Sequence, residues 1–313
     1  APPRVCIMGR AVPQIYVLGV QKAGTGTLAN DLTLAGVESA VWQSKELHLF
    51  DGPCGWHGRK IPPDNFGVCD SRAFNVWAWA SHFRHCDGDA GGPYADMTPV
   101  NSRLPKLPSL LSSVYGAKKA NLTFVFVLRE PLGRFHAGFY QEQRMYHKWN
   151  LTFALFTQRA QERWRQLLAA HDLEGIASHH VTDQLYRSMY GTSLAPWLED
   201  AFEPRQFLIV PSAHYWKSPG FRRSVVAELS EMSGASLHPE VIRYAPYQAR
   251  SHRSLEEDLS GDAIAAIRRE FFDPDTQRLA EILAPAVKGG LRIAGYSGPP
   301  DAVAIRRYLT STW

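Results

Sequence analysis

The sequence predicts an α/β fold: a doubly wound central parallel sheet flanked by helices, formed by one domain over residues 1–313. Three observations carry this. Apolar runs at 15–20, 123–128 and 207–210 have the length and composition of strands covered on both faces. Helix-period segments separate them, as crossover connections between parallel strands require. The first run passes through a glycine-rich turn straight into a helix, the arrangement that places ligands at the carboxyl edge of such a sheet.

Taken in order, the strand at 15–20 follows Pro13, and a helix follows over 27–36 with Leu28, Leu32 and Leu34 at helix-compatible spacing and Gly36 as its stop. Residues 37–42 read as a second strand. Residues 52–92 form a loop-rich insert; its 52–72 stretch is dominated by Gly, Pro, Asp and Cys, and a short aromatic helix is expected within 73–86. A short strand at 94–97 ends at Thr98-Pro99, and a helix is predicted over 103–116. The run at 123–128 is the clearest strand, apolar throughout and therefore central. Helices are predicted at 131–146, 151–172, 181–189 and 191–202, then a strand at 207–210, then helices at 219–233 and 261–285. Residues 289–313 form a C-terminal extension, Gly/Pro-rich at first, with no element assigned.

Hydrophobic residues make up 45% and charged residues 20% of the 313, ordinary for a globular chain. The formal net charge of +4 suits an anionic ligand, but no dense Lys/Arg run is present, which argues against a nucleic-acid partner. No apolar stretch reaches the length of a membrane span. Membrane association is therefore expected only through an anchor removed from the N-terminus. The four cysteines, Cys6, Cys54, Cys69 and Cys86, lack the close pairing of a zinc site, and no metal is expected. Their even number in a loop-rich setting allows one or two disulfides. Sequons at Asn121 and Asn150 suit a secretory chain. The expected setting is the Golgi lumen or secretion; a cytoplasmic protein with reduced cysteines is the alternative.

The most informative segment is Gly19-Val20-Gln21-Lys22-Ala23-Gly24-Thr25-Gly26-Thr27. A turn of this kind between strand and helix offers backbone N–H groups and a helix N-terminus to an anion. Lys22 adds a charge, and Thr25 and Thr27 add hydroxyls. A nucleoside-triphosphate loop needs its lysine directly after the second glycine; here Thr25 holds that place and the lysine stands at 22. The loop is P-loop-like but not an ATPase loop. A second segment, Phe126-Val127-Leu128-Arg129-Glu130-Pro131-Leu132-Gly133-Arg134, puts an arginine at the carboxyl end of a central strand, where its planar fork suits a phosphate. Pro131 fits the first turn of a helix.

These two segments resemble the 5'-phosphosulfate and 3'-phosphate motifs of sulfotransferases that use 3'-phosphoadenosine 5'-phosphosulfate (PAPS). The resemblance implies that Lys22, Ala23, Gly24, Thr25, Gly26 and Thr27 hold the phosphosulfate and that Arg129 holds the 3'-phosphate. The family's serine on the following helix is Ala137 here. Lys45-Glu46-Leu47-His48-Leu49-Phe50-Asp51 is similar to a segment of the Golgi heparan sulfate sulfotransferases in which the glutamate is the proposed base. By that likeness Glu46 is the base, Lys22 is catalytic as well as cofactor-binding, and His48 lines the acceptor site or assists. The Thr98-Pro99 strand end matches the family's, but its lysine is Met97. Gln248-Ala249-Arg250-Ser251-His252 resembles a loop that closes over the cofactor, with Arg250 as a further cofactor contact; the family's preceding disulfide is absent. The likeness runs over 13–285 and is strongest at the two cofactor motifs.

The function implied is transfer of the sulfuryl group from PAPS to a hydroxyl, or an amine, of an acceptor, either a glycan or a small hydroxylated metabolite. Trp42, Trp56, Trp77 and Trp79 would suit sugar stacking, although aromatics of this kind more often fill a core. One alternative is a P-loop small-molecule kinase; the displaced lysine and the lack of a clear acidic strand end for magnesium count against it. The other is a non-catalytic relative that binds glycan or nucleotide, kept open by Met97 and Ala137.

Overall fold

The computed structural model describes residues 4–39, 46–50, 75–86, 92–146, 151–179, 181–199, 201–243 and 253–313. A two-stranded antiparallel hairpin, β1 (Cys6–Ile7) and β2 (Arg10–Ala11), precedes the main sheet. That sheet contains β3 (Ile15–Gly19), β4 (Glu38–Ser39), β5 (Tyr94–Asp96), β6 (Thr123–Leu128), β7 (Phe207–Pro211) and β8 (Arg292–Ile293) in the order β4-β5-β3-β6-β7-β8. Every neighbouring pair is parallel. The fold is thus α/β with a parallel sheet flanked by helices.

Strands β3, β6 and β7 are buried at every residue, as their unbroken apolar sequences require. Phe124 of β6 centres the aromatic packing, with ring centroids 5.9 Å from Tyr16, 5.0 Å from Phe207 and 5.6 Å from Trp197. A second core lies among helices, where Phe135 and Phe139 meet Phe153 and Phe156. From β3 the chain builds outward to β5 and β4 on one side and to β6, β7 and β8 on the other. The switch point therefore falls between β3 and β6, and their carboxyl ends bound the crevice.

Three elements differ from expectation. Within 37–42, only Glu38–Ser39 pairs as strand among the described residues, and 40–45 lie outside them. The helix over 261–285 is divided into Gly261–Ile267, a π turn at Arg268–Phe272 and Asp273–Lys288. The turn places both Phe271 and Phe272 in the second core, and Pro274 then fits the first turn of the next helix. Residues 289–313 are not a bare extension: β8 closes the sheet edge, and the helix Ala302–Ser311 buries Ile305 and Leu309. In the loop-rich insert, a disulfide joins Cys6 to Cys86 and ties the hairpin to residues 75–86. Cys54 and Cys69 lie outside the described residues.

A buried polar network fixes the turn after β3. Arg134 donates from Nε to the Gln21 carbonyl (2.8 Å) and through its other nitrogens to the Gln184 carbonyl (2.6 Å) and side chain (2.6 Å). Arg187 donates to the Gln21 side chain and grips Asp183 with two bonds. Arg103 reaches the same carboxylate at 2.8 Å. Burial, with Arg187 nearby, pushes Arg134 down to about 9. Burial would raise the Asp183 carboxyl, but Arg103 and Arg187 outweigh it and leave it below the ordinary value. That contribution is complete above the unfolded value of about 4 and is lost as pH falls through the lower folded one. Asp183→Asn is expected to cost about 3–5 kcal/mol in urea unfolding, because it removes the buried carboxylate that pairs with both Arg103 and Arg187. The stability difference from the parent should shrink as pH falls below about 4.

Candidate functional site

Three adjacent strand ends supply the anion-facing side chains. The turn after β3 carries Lys22, Ala23 and Gly24, and the helix Thr25–Leu34 starts immediately. No side chain caps that helix and its first turn holds no acidic residue, so the helix's own side chains do not offset its positive dipole end at the turn. Gly24 has φ +100°, and a Cβ there would run into the Trp216 indole, 2.8 Å from Cε2. Glycine is needed on both counts. Thr25 is buried at the helix start, while Gly26 is exposed.

Lys22 has φ +69°, a left-handed conformation costly for a side-chain-bearing residue. Its ammonium donates to Gln141 Oε1 at 2.8 Å. Gln141 lies one helical turn beyond Ala137 on the helix Pro131–Tyr146, so that helix supplies an amide to the loop lysine.

Arg129 follows β6 directly. Its guanidinium donates to the Lys22 carbonyl at 3.2 Å and lies 5.4 Å above the Trp216 ring. Its own carbonyl accepts from the buried Tyr190 hydroxyl at 2.8 Å. Glu130 faces away from this role: its carboxylate accepts from Leu132 N–H (3.3 Å) and Gly133 N–H, capping the next helix. Trp216 belongs to the helix Ser212–Lys217 after β7. Its neighbour Tyr215 donates to Asp31 at 2.6 Å, and Arg222 pairs with the same buried carboxylate.

Glu46 and His48 come together, with Glu46 Oε2 3.2 Å from His48 Nε2. His48 has φ +49°. Of the four non-glycine residues with positive φ among those described, two are therefore the expected Lys22 and His48. Strain of this kind collects at working sites. The segment is held from behind by the Thr98 hydroxyl, which accepts from Leu47 N–H (2.8 Å) and His48 N–H (3.2 Å).

Lys22 to Thr27 and Arg129 thus share one crevice. Lys45, Arg250 and His252 lie outside the described residues, as do Trp42 and Trp56. Trp79 is core, packed on Phe83 and Phe50, whereas Trp77 is 67% exposed. Met97 is buried and belongs to the core. Sequence reasoning missed Trp216 and Gln141. The rule that ligands bind beyond strand carboxyl ends points to an aromatic shortly after 207–210, but nothing local marks Gln141.

The donor set fits a nucleotide bearing two separate phosphate groups. The helix N-terminus with Lys22 makes one anion site, Arg129 on the next strand makes another, and the turn requires glycine where a Cβ would close it. Among the described residues no group of three or more His, Cys, Asp or Glu side chains is arranged to hold a metal ion. No helix among them is long and apolar enough to cross a membrane.

No family model matches the chain, and no curated protein sequence matches it. Among solved structures, it is similar to the crystal structure of a sulfotransferase from Alicyclobacillus acidocaldarius, with a TM-score of 0.58 and 18% identity. The match covers 87% of this chain and 96% of that one. The two share a fold.

The Gln141 amide that accepts from Lys22 is neutral, so giving up that one bond to an anion costs little electrostatically. In Gln141→Glu an ion pair competes instead. Affinity for adenosine 3',5'-bisphosphate, measured by calorimetry, is expected to fall about fivefold, as a half-buried pair worth about 1 kcal/mol implies. Gln141→Ala is expected to stay within about twofold of the parent.

Proposed function

We propose that this chain is a PAPS-dependent sulfotransferase that places a sulfuryl group on a hydroxyl of an acceptor glycan. The observation that carries the reading is the pairing across the switch point. A phosphate loop with its lysine at 22 meets Arg129 from the next strand, 3.2 Å from the Lys22 carbonyl. The shared fold with a bacterial sulfotransferase supports it.

PAPS, when bound, supplies an activated sulfuryl group on a phosphate leaving group. Lys22 and the N–H groups at the start of the helix Thr25–Leu34 stabilise negative charge on the leaving oxygen. Arg129 holds the 3'-phosphate with its planar fork, and Trp216 limits where that fork points. Glu46 takes the acceptor proton, and His48 orients its carboxylate from 3.2 Å. Positioning and charge stabilisation do most of the work in a transfer of this type. The exposed Trp77 offers a face for a sugar ring. The Cys6–Cys86 disulfide supports an oxidising compartment, the Golgi lumen or outside the cell.

A kinase reading draws on Asp96, which ends β5 beside the loop strand, an acidic strand end that the sequence did not make evident. Its oxygens are engaged, one by Thr98 N–H (2.9 Å) and the other by the Asn101 amide (3.2 Å), and it is buried. This leaves it poorly suited to magnesium and favours sulfuryl transfer.

Turnover of labelled PAPS over a panel of glycans and small hydroxylated acceptors tests the proposal. Lys22→Ala and Arg129→Ala are expected to lower kcat/KM by about 100-fold or more. Glu46→Gln is expected to lower kcat by about 10²–10⁴-fold while affinity for the desulfated product is retained. Full turnover in Glu46→Gln would move the base to His48.

A further inference from the structure

We infer that Thr98 is the positioning residue that sets the Glu46–His48 pair relative to the phosphate loop. This deepens the sulfotransferase reading and rests on it. Thr98 is fully buried, and its one hydroxyl oxygen accepts both the Leu47 N–H (2.8 Å) and the His48 N–H (3.2 Å). It therefore holds the two peptide groups immediately after Glu46. The left-handed backbone of His48 is kept by this pair of bonds.

Thr98 is itself immobile. Its N–H is bound by buried Asp96 at 2.9 Å, and the other Asp96 oxygen is bound by Asn101 at 3.2 Å. The same turn then touches the cofactor side. A Cβ on Gly19 would lie 2.6 Å from the Pro99 carbonyl and 2.7 Å from Ser102 Oγ, so residues 99–102 pack against the first residue of the phosphate loop without spare room. Ser102 is anchored in turn, its carbonyl accepting from the Trp197 indole at 3.3 Å. Residues 98–102 thus form one rigid piece with Gly19 on one face and the Glu46 segment on the other. A base must stand at a fixed distance from the group it serves, and a misplacement of about 1 Å costs about 100-fold in rate. Thr98 is the contact through which that distance is set.

The test compares Thr98→Val, which keeps shape and loses the acceptor oxygen, with Thr98→Ser, which keeps the oxygen. Amide hydrogen exchange over residues 46–50 is expected to rise about tenfold or more in Thr98→Val and to stay at the parent rate in Thr98→Ser. With PAPS, kcat is expected to fall about 100-fold in Thr98→Val with affinity for adenosine 3',5'-bisphosphate within about twofold, and Thr98→Ser is expected to restore it. Unchanged exchange in Thr98→Val would overturn the inference. So would bisphosphate affinity falling together with kcat, or a serine variant as impaired as the valine one. Should Thr98→Val fail to fold, Thr98→Ala is read by the same measurements against the same outcomes. Absence of PAPS turnover in the parent protein is a separate result: it removes the sulfotransferase reading, while exchange at 46–50 still decides whether Thr98 holds the segment.

Discussion

Gln21 is held from two sides by buried guanidiniums, its carbonyl by Arg134 and its side chain by Arg187. This clamp sets the path of the turn from which the phosphate loop starts. Arg103 and Arg187 both pair with Asp183, and Arg134 is buried beside them on Gln21 and Gln184. Burying guanidiniums is costly, and burial with Arg187 nearby holds Arg134 below its ordinary value. In the proposed function their fixed positive field faces the bound anion, and in a low-dielectric interior such a field acts without reorganising.

Everything chemical in the crevice stands on that frame. Lys22, Arg129 and Trp216 come from three neighbouring strand ends, and their order follows from the sheet order β3-β6-β7. Each has a different partner: Lys22 bonds the half-buried Gln141, the Arg129 carbonyl bonds buried Tyr190, and Trp216 follows Tyr215 of the buried Tyr215–Asp31–Arg222 cluster. The segment of Glu46 and His48 is attached by Thr98 to a turn that abuts Gly19. The start of the glycine-rich loop and the Glu46 segment therefore meet at one junction.

Parts of this were legible in the sequence. The loop at 19–27 and Arg129 could be read because each follows an apolar strand, and strand ends of a parallel sheet are where ligands bind. Glu46 and His48 were legible only by resemblance, since a lone Lys-Glu pair is ordinary surface chemistry. The partners of these residues were not legible. Gln141 is 119 positions from Lys22, and Arg187 is 166 from Gln21, separations across which local pattern carries no information. Strand β8 escaped because two residues between glycines give no periodic signal. The division at 268–272 escaped because both halves share the helical period.

The central claim is that the loop lysine at 22 and Arg129 bind the two phosphate groups of the PAPS skeleton. Calorimetric titration with adenosine 3',5'-bisphosphate, beside ATP as control, tests it most directly. The account predicts tight binding of the bisphosphate and little response to ATP. Preference for ATP, or no binding of the bisphosphate by folded protein, would contradict it.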